Sequence, residues 1–209
     1  TQGWSLRWFW DDPTLSVFSD PSLQSALEQS LTLAFFAMLI ATPLGIGLAL
    51  GLQRWRGPGG GTANGLTLLP LVTPELVFAV GLFLLFTTAF SFIGLGTTAQ
   101  VIGHVTFSIS FVVVIVRGRL QTIGSDMEEA AADLGAPPWD VVRRVLLPLL
   151  FPAIAASLLI VFALSIDDFV VSQYLASGAD TTTVPMRIYA QARAAPTPAL
   201  NALATIMLA

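Results

Sequence analysis

Apolar residues in this chain gather into long unbroken runs rather than recurring every three or four positions as in a half-buried helix. Residues 31–52 carry no charge, and the helix containing them is predicted to start earlier, near Pro21 and Ser22. Residues 66–90 form a second run broken only by Glu75. Residues 96–116 form a third, in which His104 is the one titratable group. Residues 146–166 form a fourth, closing on Asp167 and Asp168, and another run begins at residue 200. Crossing about 30 Å of hydrocarbon takes about 20 apolar residues, so the pattern predicts four complete spans and the start of a further one. All are expected to be helices: a lipid-facing backbone must satisfy its own hydrogen bonds, and the runs are too long and uniform for barrel strands.

Composition agrees with a membrane protein and narrows its chemistry. Of 209 residues, 55% are hydrophobic and 11% charged, against about 25% charged in an ordinary soluble domain. Cysteine is absent, which excludes disulfides, thiolate metal sites and a cysteine nucleophile. There is one histidine and no His-Glu-x-x-His, so intramembrane hydrolytic chemistry is disfavoured and no catalytic or metal-ligating residue is predicted. His104 suits a hydrogen bond between helices better than a ligand role. All nine basic residues are arginine. Without lysine there is no phosphate-binding loop of the Gly-x-x-x-x-Gly-Lys type, and the glycine-rich stretch 57–61 reads as a turn. Gly45, Gly47 and Gly51 in the first run are expected to permit close helix packing.

Arginine placement sets an orientation. Arg54 and Arg56 follow the first run, and Arg117, Arg119, Arg143 and Arg144 lie between the third and fourth; Arg7, Arg187 and Arg193 lie on the other side. Six against three puts these two loops in the cytoplasm. The expected layout is therefore an external segment 1–22, three spans within 23–119, a cytoplasmic loop 120–145, a span 146–168, an external segment 169–197 and the start of a last span at 198–209. Trp4, Trp8, Phe9 and Trp10 suit an interfacial belt. The ends read as cut, and the external start implies a further helix before residue 1, for about six in the full chain.

The loop 120–145 is more than a connector. Ser125 and Glu128 have the spacing of a capping box. Ala130, Ala131 and Ala132 favour helix, and Gly135 stands where a left-handed stop is expected. Pro137 and Pro138 suit the first turn of a second short helix, amphipathic through Val141, Val142 and Val145. The result is a compact helix–turn–helix with acids on one limb and arginines on the other.

This stretch resembles the cytoplasmic signature of bacterial ABC importer permeases: Glu-Ala-Ala, three residues, Gly, nine residues, then an aliphatic residue, any residue, Leu and Pro. Here Glu129-Ala130-Ala131, Gly135 and Val145-Leu146-Leu147-Pro148 reproduce it, with both gaps at the family length and Val145 for the usual Ile as the one departure. The resemblance implies the all-α, type I ABC importer permease fold, in a multi-pass protein of the bacterial plasma (inner) membrane. It implies that the loop is a coupling helix seated on a cytoplasmic ATPase, with Glu129, Ala130, Ala131, Asp133, Gly135 and Arg143 as its contact and turn residues. By the same resemblance the partners are a second, related permease subunit, two ATPase subunits and an external binding protein. ATP and Mg are then used by the ATPases, and no cofactor is bound by this chain. The segment 186–193 resembles a short external helix suited to receive the binding protein.

Ser165-Ile166-Asp167-Asp168, with Phe169 to Ser172, then Val184-Pro185, Ile188-Tyr189, Asn201 and Thr205-Ile206, are similar to segments of spermidine/putrescine permeases, as is Thr73-Pro74-Glu75. The acids need an account on physical grounds as well. A carboxylate at the bilayer centre costs about 2.5–3.5 kcal/mol on insertion scales and normally faces a bundle interior or an aqueous cavity. Rings of carboxylates make a route favourable to cations. Glu75, Asp167 and Asp168 are therefore the candidate lining of a polyamine path, against a bland reading in which the two aspartates are solvated or cap a helix. Spermidine, putrescine and another small substrate stay open as alternatives. An ion-coupled carrier would also hold buried acids, but it predicts inverted repeats with paired broken helices, which are not evident in the sequence, and it leaves the Glu-Ala-Ala loop unexplained.

Overall fold

The computed structural model describes residues 20–55, 57–194 and 198–208. Arg7, Arg56 and the aromatic cluster at residues 4–10 lie outside them. Every described element is helical: α1 (Pro21–Arg54), α2 (Gly60–Val72), α3 (Glu75–Ala89), α4 (Thr97–Ile123), α5 (Asp126–Asp133), α6 (Pro138–Asp167), α7 (Val170–Leu175), a 3₁₀ turn (Ala179–Thr181), α8 (Val184–Ala194) and α9 (Pro198–Leu208). Helices α1, α4 and α6 are each long and apolar enough to cross a membrane, and the pair α2 and α3 passes the same test only when taken together.

The first span starts where its sequence says it should. Asp20 precedes Pro21, and its carboxylate accepts the Ser22 N–H at 2.8 Å and the Ser22 hydroxyl at 2.7 Å. Proline in the first turn loses nothing, because its N–H would have had no helical partner.

The run 66–90 is not one straight helix. It breaks at Thr73, whose extended backbone (φ −75°, ψ 129°) is the conformation that a following proline imposes. Glu75 is thereby moved from the middle of a predicted span to the first residue of α3, where the exposed N–H groups of a helix start favour a negative charge. The last five residues of α3, Leu85–Ala89, widen into a π turn.

Two compact units are distinguished, residues 1–34, 75–103 and 165–209 forming one, and residues 35–74 and 104–164 the other. Within the second unit, Ala37, Ala49 and Leu52 of α1 pack with Val112, Val113, Val116 and Leu120 of α4 and with Leu146, Leu150 and Val161 of α6. Ser110 donates to the Thr67 carbonyl at 2.7 Å and Arg117 to the Asn64 side chain at 2.6 Å, which ties α4 to α2. Within the first unit, Leu23 and Ala26 of α1 pack with Val184, Ala202 and Leu203, while Ala79, Leu82 and Phe86 of α3 pack with Ala99, Val171 and Leu175.

The glycines of α1 are not equivalent. A Cβ on Gly45 would lie 2.5 Å from the Val112 Cβ and 3.3 Å from the Ile109 carbonyl, whereas Gly47 and Gly51 face open space. Of the three, Gly45 is the one that lets α1 and α4 approach. We expect Gly45→Leu to cost about 1–3 kcal/mol through overpacking and Gly51→Ala to be nearly silent, as read by the thermal unfolding midpoints of the purified variants.

Candidate functional site

Two constellations stand out, one in each unit. The first is the segment around α5. Gly135 has φ +81°, its N–H reaches the Ala132 carbonyl at 2.8 Å, and the Ala136 N–H reaches the Ala131 carbonyl at 3.1 Å. This is the left-handed stop predicted for Gly135, in its Schellman form. The capping box at the other end does not form: Ser125 makes no side-chain cap. Ser125 itself has helical backbone angles (φ −90°, ψ −17°) where a capping residue needs an extended one, and Glu128 is paired with Arg54 at the end of α1.

The second limb also differs from the expected separate short helix. After extended Pro137 (ψ 153°), the helix that starts at Pro138 runs without a break into the fourth span. Residues Val141–Leu146 form a π turn in which the Leu147 N–H donates to the Val142 carbonyl, five residues back. Pro148, the next residue, has no N–H with which to continue a regular ladder. A π turn followed by Pro148 and Pro152 makes this the least regular stretch of α6. Arg119 of α4 donates to the Leu149 carbonyl there at 3.3 Å. Of the predicted apolar stripe, Val141 is buried while Val142 and Val145 are half-buried, and Leu146 beside them is fully buried.

Of the residues singled out in the sequence, Glu129, Ala130, Asp133, Gly135 and Arg143 are exposed, and Ala131 is half-buried. Beside them lie three apolar side chains that the sequence pattern did not pick out: Leu134 at 90% exposure, Trp139 at 68% and Met127 at 55%. Large apolar groups so close together on a polar segment mark a contact surface. The available signal was their position within an otherwise charged loop. A groove of about 330 Å³ runs alongside, lined by Arg54, Glu128, Glu129, Ala132, Ala136 and Pro138.

The second constellation joins segments far apart in the chain. Glu75 opens α3, and its carboxyl is hydrogen-bonded to Asp168 with Asp167 close enough to add its field. Glu75 and Asp168 therefore meet, and Asp167 lies near enough to be felt electrostatically. Asp168 also holds a helix start, since one of its carboxylate oxygens accepts both the Ser172 N–H at 2.7 Å and the Ser172 hydroxyl at 2.8 Å. It thus caps α7, as the bland reading of the aspartates expected, and touches Glu75 at the same time. Asp167, the last residue of α6, borders a cavity of about 530 Å³ walled by Phe169, Ile188, Tyr189, Ala192 and Ala204. The Phe169 and Tyr189 rings lie 4.8 Å apart, and the Arg193 guanidinium stacks 4.5 Å from the centre of the Tyr189 ring. His104 is buried, and among the described residues no cluster of His, Cys, Asp and Glu could hold a metal ion.

Long apolar helices, a broken span and an exposed signature loop define a helical permease subunit with the type I ABC importer fold. Residues 41–209 match the family described as binding-protein-dependent transport system inner membrane component, and the chain belongs to that family. It is accordingly a multi-pass protein of the inner membrane and is grouped with binding-protein-dependent systems rather than with ion-coupled carriers. The spermidine/putrescine transport system permease protein PotC of Haemophilus influenzae is 37% identical over 207 residues, covering 99% of this chain and 77% of that protein. The putrescine transport system permease protein PotI of Escherichia coli is 36% identical over 213 residues, covering 99% and 73%. Among solved structures, a chain of a bacterial ABC transporter involved in the import of alginate superposes with a TM-score of 0.77 at 19% identity, over 96% of this chain and 81% of that one. A chain of an amino acid ABC transporter gives 0.64 at 24% identity, over 90% and 86%. At these identities the structural matches speak to the fold.

The Arg54–Glu128 pair is partly solvated, its side chains 43% and 27% exposed, so its worth lies near the 0.2–1 kcal/mol typical of such pairs. We expect Glu128→Ala to leave the unfolding midpoint within about 2 °C, at the small end of what such an energy shifts. It should at the same time raise amide hydrogen exchange across residues 126–133, because the helix loses its described side-chain tie to α1.

Proposed function

We propose that this permease carries linear polyamines inward, driven by separate ATPase subunits that it engages through the Glu-Ala-Ala loop. The observation that carries the substrate reading is the meeting of Glu75 with Asp168 and Asp167, three carboxyl groups brought together at a break between helices. A break of that kind is tolerated at membrane depth where it is buried in protein or lines a water-filled cavity. Negative groups in such a place lower the barrier for a cation. A polyamine alternates ammonium groups with methylene stretches, and the cavity at Asp167 offers a carboxylate beside aromatic and small apolar walls, which is complementary to that alternation. The names of PotC and PotI support the same substrate class.

For coupling, the exposed α5 segment is the surface we assign to the ATPase. Ala130 and Ala131 permit close approach, Glu129 and Asp133 offer acceptors, Arg143 offers a donor, and the left-handed Gly135 sets the angle between the limbs. Leu134 and Trp139 supply apolar area to the same contact. Movement of an ATPase dimer would then act on the base of α6, where the π turn, Pro148 and Pro152 interrupt the helix. The working assembly in this reading has two related permease subunits, two ATPases that bind ATP and Mg, and one external binding protein seated near α8.

Two outcomes test the reading. In proteoliposomes with the binding protein and ATPases, spermidine or putrescine should stimulate ATP hydrolysis while neutral and anionic controls do not. Glu75→Gln should lower polyamine uptake about tenfold, equivalent to about 1.4 kcal/mol. Wild-type uptake by Glu75→Gln would remove that residue from the path, and stimulation only by a different ligand would overturn the polyamine assignment. Gly135→Val, which puts a β-branched residue at a positive φ, costs about 1–2 kcal/mol locally. It should uncouple ATP hydrolysis from uptake with the spans intact, as should Glu129→Arg. Normal uptake by both variants would refute the coupling role.

A further inference from the structure

Between α4 and α7 lies a buried amide that belongs to neither constellation by sequence. Gln100 has no solvent exposure. Its Nε2 donates to two backbone carbonyls, that of Ser172 at 2.9 Å and that of Thr181 at 3.0 Å. Its Oε1 accepts from the Gln29 Nε2 of α1 at 2.8 Å, and that nitrogen also reaches the Thr97 Oγ1 at 3.0 Å. With both its donors on carbonyls and its acceptor on an N–H, the Gln100 amide has one satisfiable orientation. The need for it is plain from the length of α7. A helix of six residues leaves its last four carbonyls without internal partners, and Ser172 is one of those four.

Ser172 connects this network to the acids. The residue whose carbonyl is held by Gln100 is the same one whose N–H and hydroxyl hold the Asp168 carboxylate, and Asp168 is hydrogen-bonded to Glu75. Two more contacts keep α7 in register on α4. The Gly96 N–H donates to the Leu175 carbonyl at 2.8 Å. A Cβ on Gly103 would fall 2.8 Å from the Val171 Cγ1 and 2.9 Å from the Leu175 Cδ1, so these two side chains of α7 pack directly on the Gly103 backbone. Gln100 and Gly103, one turn apart on α4, grip the same short helix.

We propose that Gln100 is a positioning residue for transport: by fixing Ser172 it sets where the Asp168 carboxylate stands, and so holds the Asp168–Glu75 contact in the geometry that admits an ammonium group. The proposal rests on the reading of these acids as part of the substrate path. It predicts a thermodynamic coupling that a merely structural glutamine would lack, since Gln100 would act on uptake only through Asp168.

The experiment is a double-mutant cycle in the reconstituted full complex. Spermidine uptake is measured for Gln100→Leu, Asp168→Asn and the pair, at equal amounts of assembled transporter. We expect each single change to raise KM about tenfold, which is about 1.4 kcal/mol, and the pair to be no worse than Asp168→Asn alone. Ser172→Ala removes one donor to Asp168 while keeping the backbone, and is expected to raise KM about threefold with the same non-additivity. It decides the matter if Gln100→Leu does not assemble. Additive effects, or a silent Gln100→Leu and Ser172→Ala beside an impaired Asp168→Asn, overturn the positioning role alone. A silent Asp168→Asn overturns the path reading and this proposal with it.

Discussion

A peptide group that leaves the helix inside hydrocarbon loses its partner and finds no water to replace it. The described helices depart from regularity in few places, and several of these departures are answered by a specific group. At Asp168 the start of α7 is satisfied by a side-chain carboxylate. At Ser172 and Thr181 the answer is the Gln100 amide. At Gly135, on the exposed loop outside the spans, the helix end is closed by a pair of backbone bonds made possible by a positive φ. At Asp168 an unpaired backbone group and a charged side chain solve each other's problem.

Asp168 shows how one residue serves both needs. A carboxylate near a membrane is costly alone, and a short helix start lacks acceptors for its N–H groups. Placed together, each offsets the other. A helix start supplies hydrogen bonds and a partial positive charge, which is less than the full charge of a cation. In the proposed path, a carboxylate held in that way would keep an attraction for a mobile ammonium group.

The segment around α5 follows a different logic. Its ties to the rest of its unit include the partly solvated Arg54–Glu128 pair and the buried Val141 and Leu146, while Leu134, Trp139 and Met127 stay exposed. Little energy holds the surface of α5, but the turn at Gly135 and the continuous helix from Pro138 give it a defined angle. In the proposed coupling role, such a surface would transmit a push along α6 without being rigid itself, and the push would enter the span at the π turn Val141–Leu146.

What the sequence by itself determined was everything local or periodic: the apolar runs, because length and lack of charge decide what can cross a bilayer; the start of α1 after Asp20; and the stop at Gly135, because only certain residues tolerate that backbone. The spacing from Glu129 to Pro148 was legible for the same reason, being carried by nearby residues. The tertiary structure alone decided which groups meet across the chain. Glu128 has the spacing of a capping residue, but Arg54, 74 positions away, draws it off. Thr73-Pro74 lies inside what the sequence predicts as one span and is instead the break before α3, whose first residue, Glu75, meets Asp168. Gln100 carries no signal at all, since a glutamine in an apolar run shows its purpose only when the orphan carbonyls of a distant short helix are packed against it. Hydrogen bonds between remote segments depend on three-dimensional register, and register is a property of the packed helices rather than of any one of them.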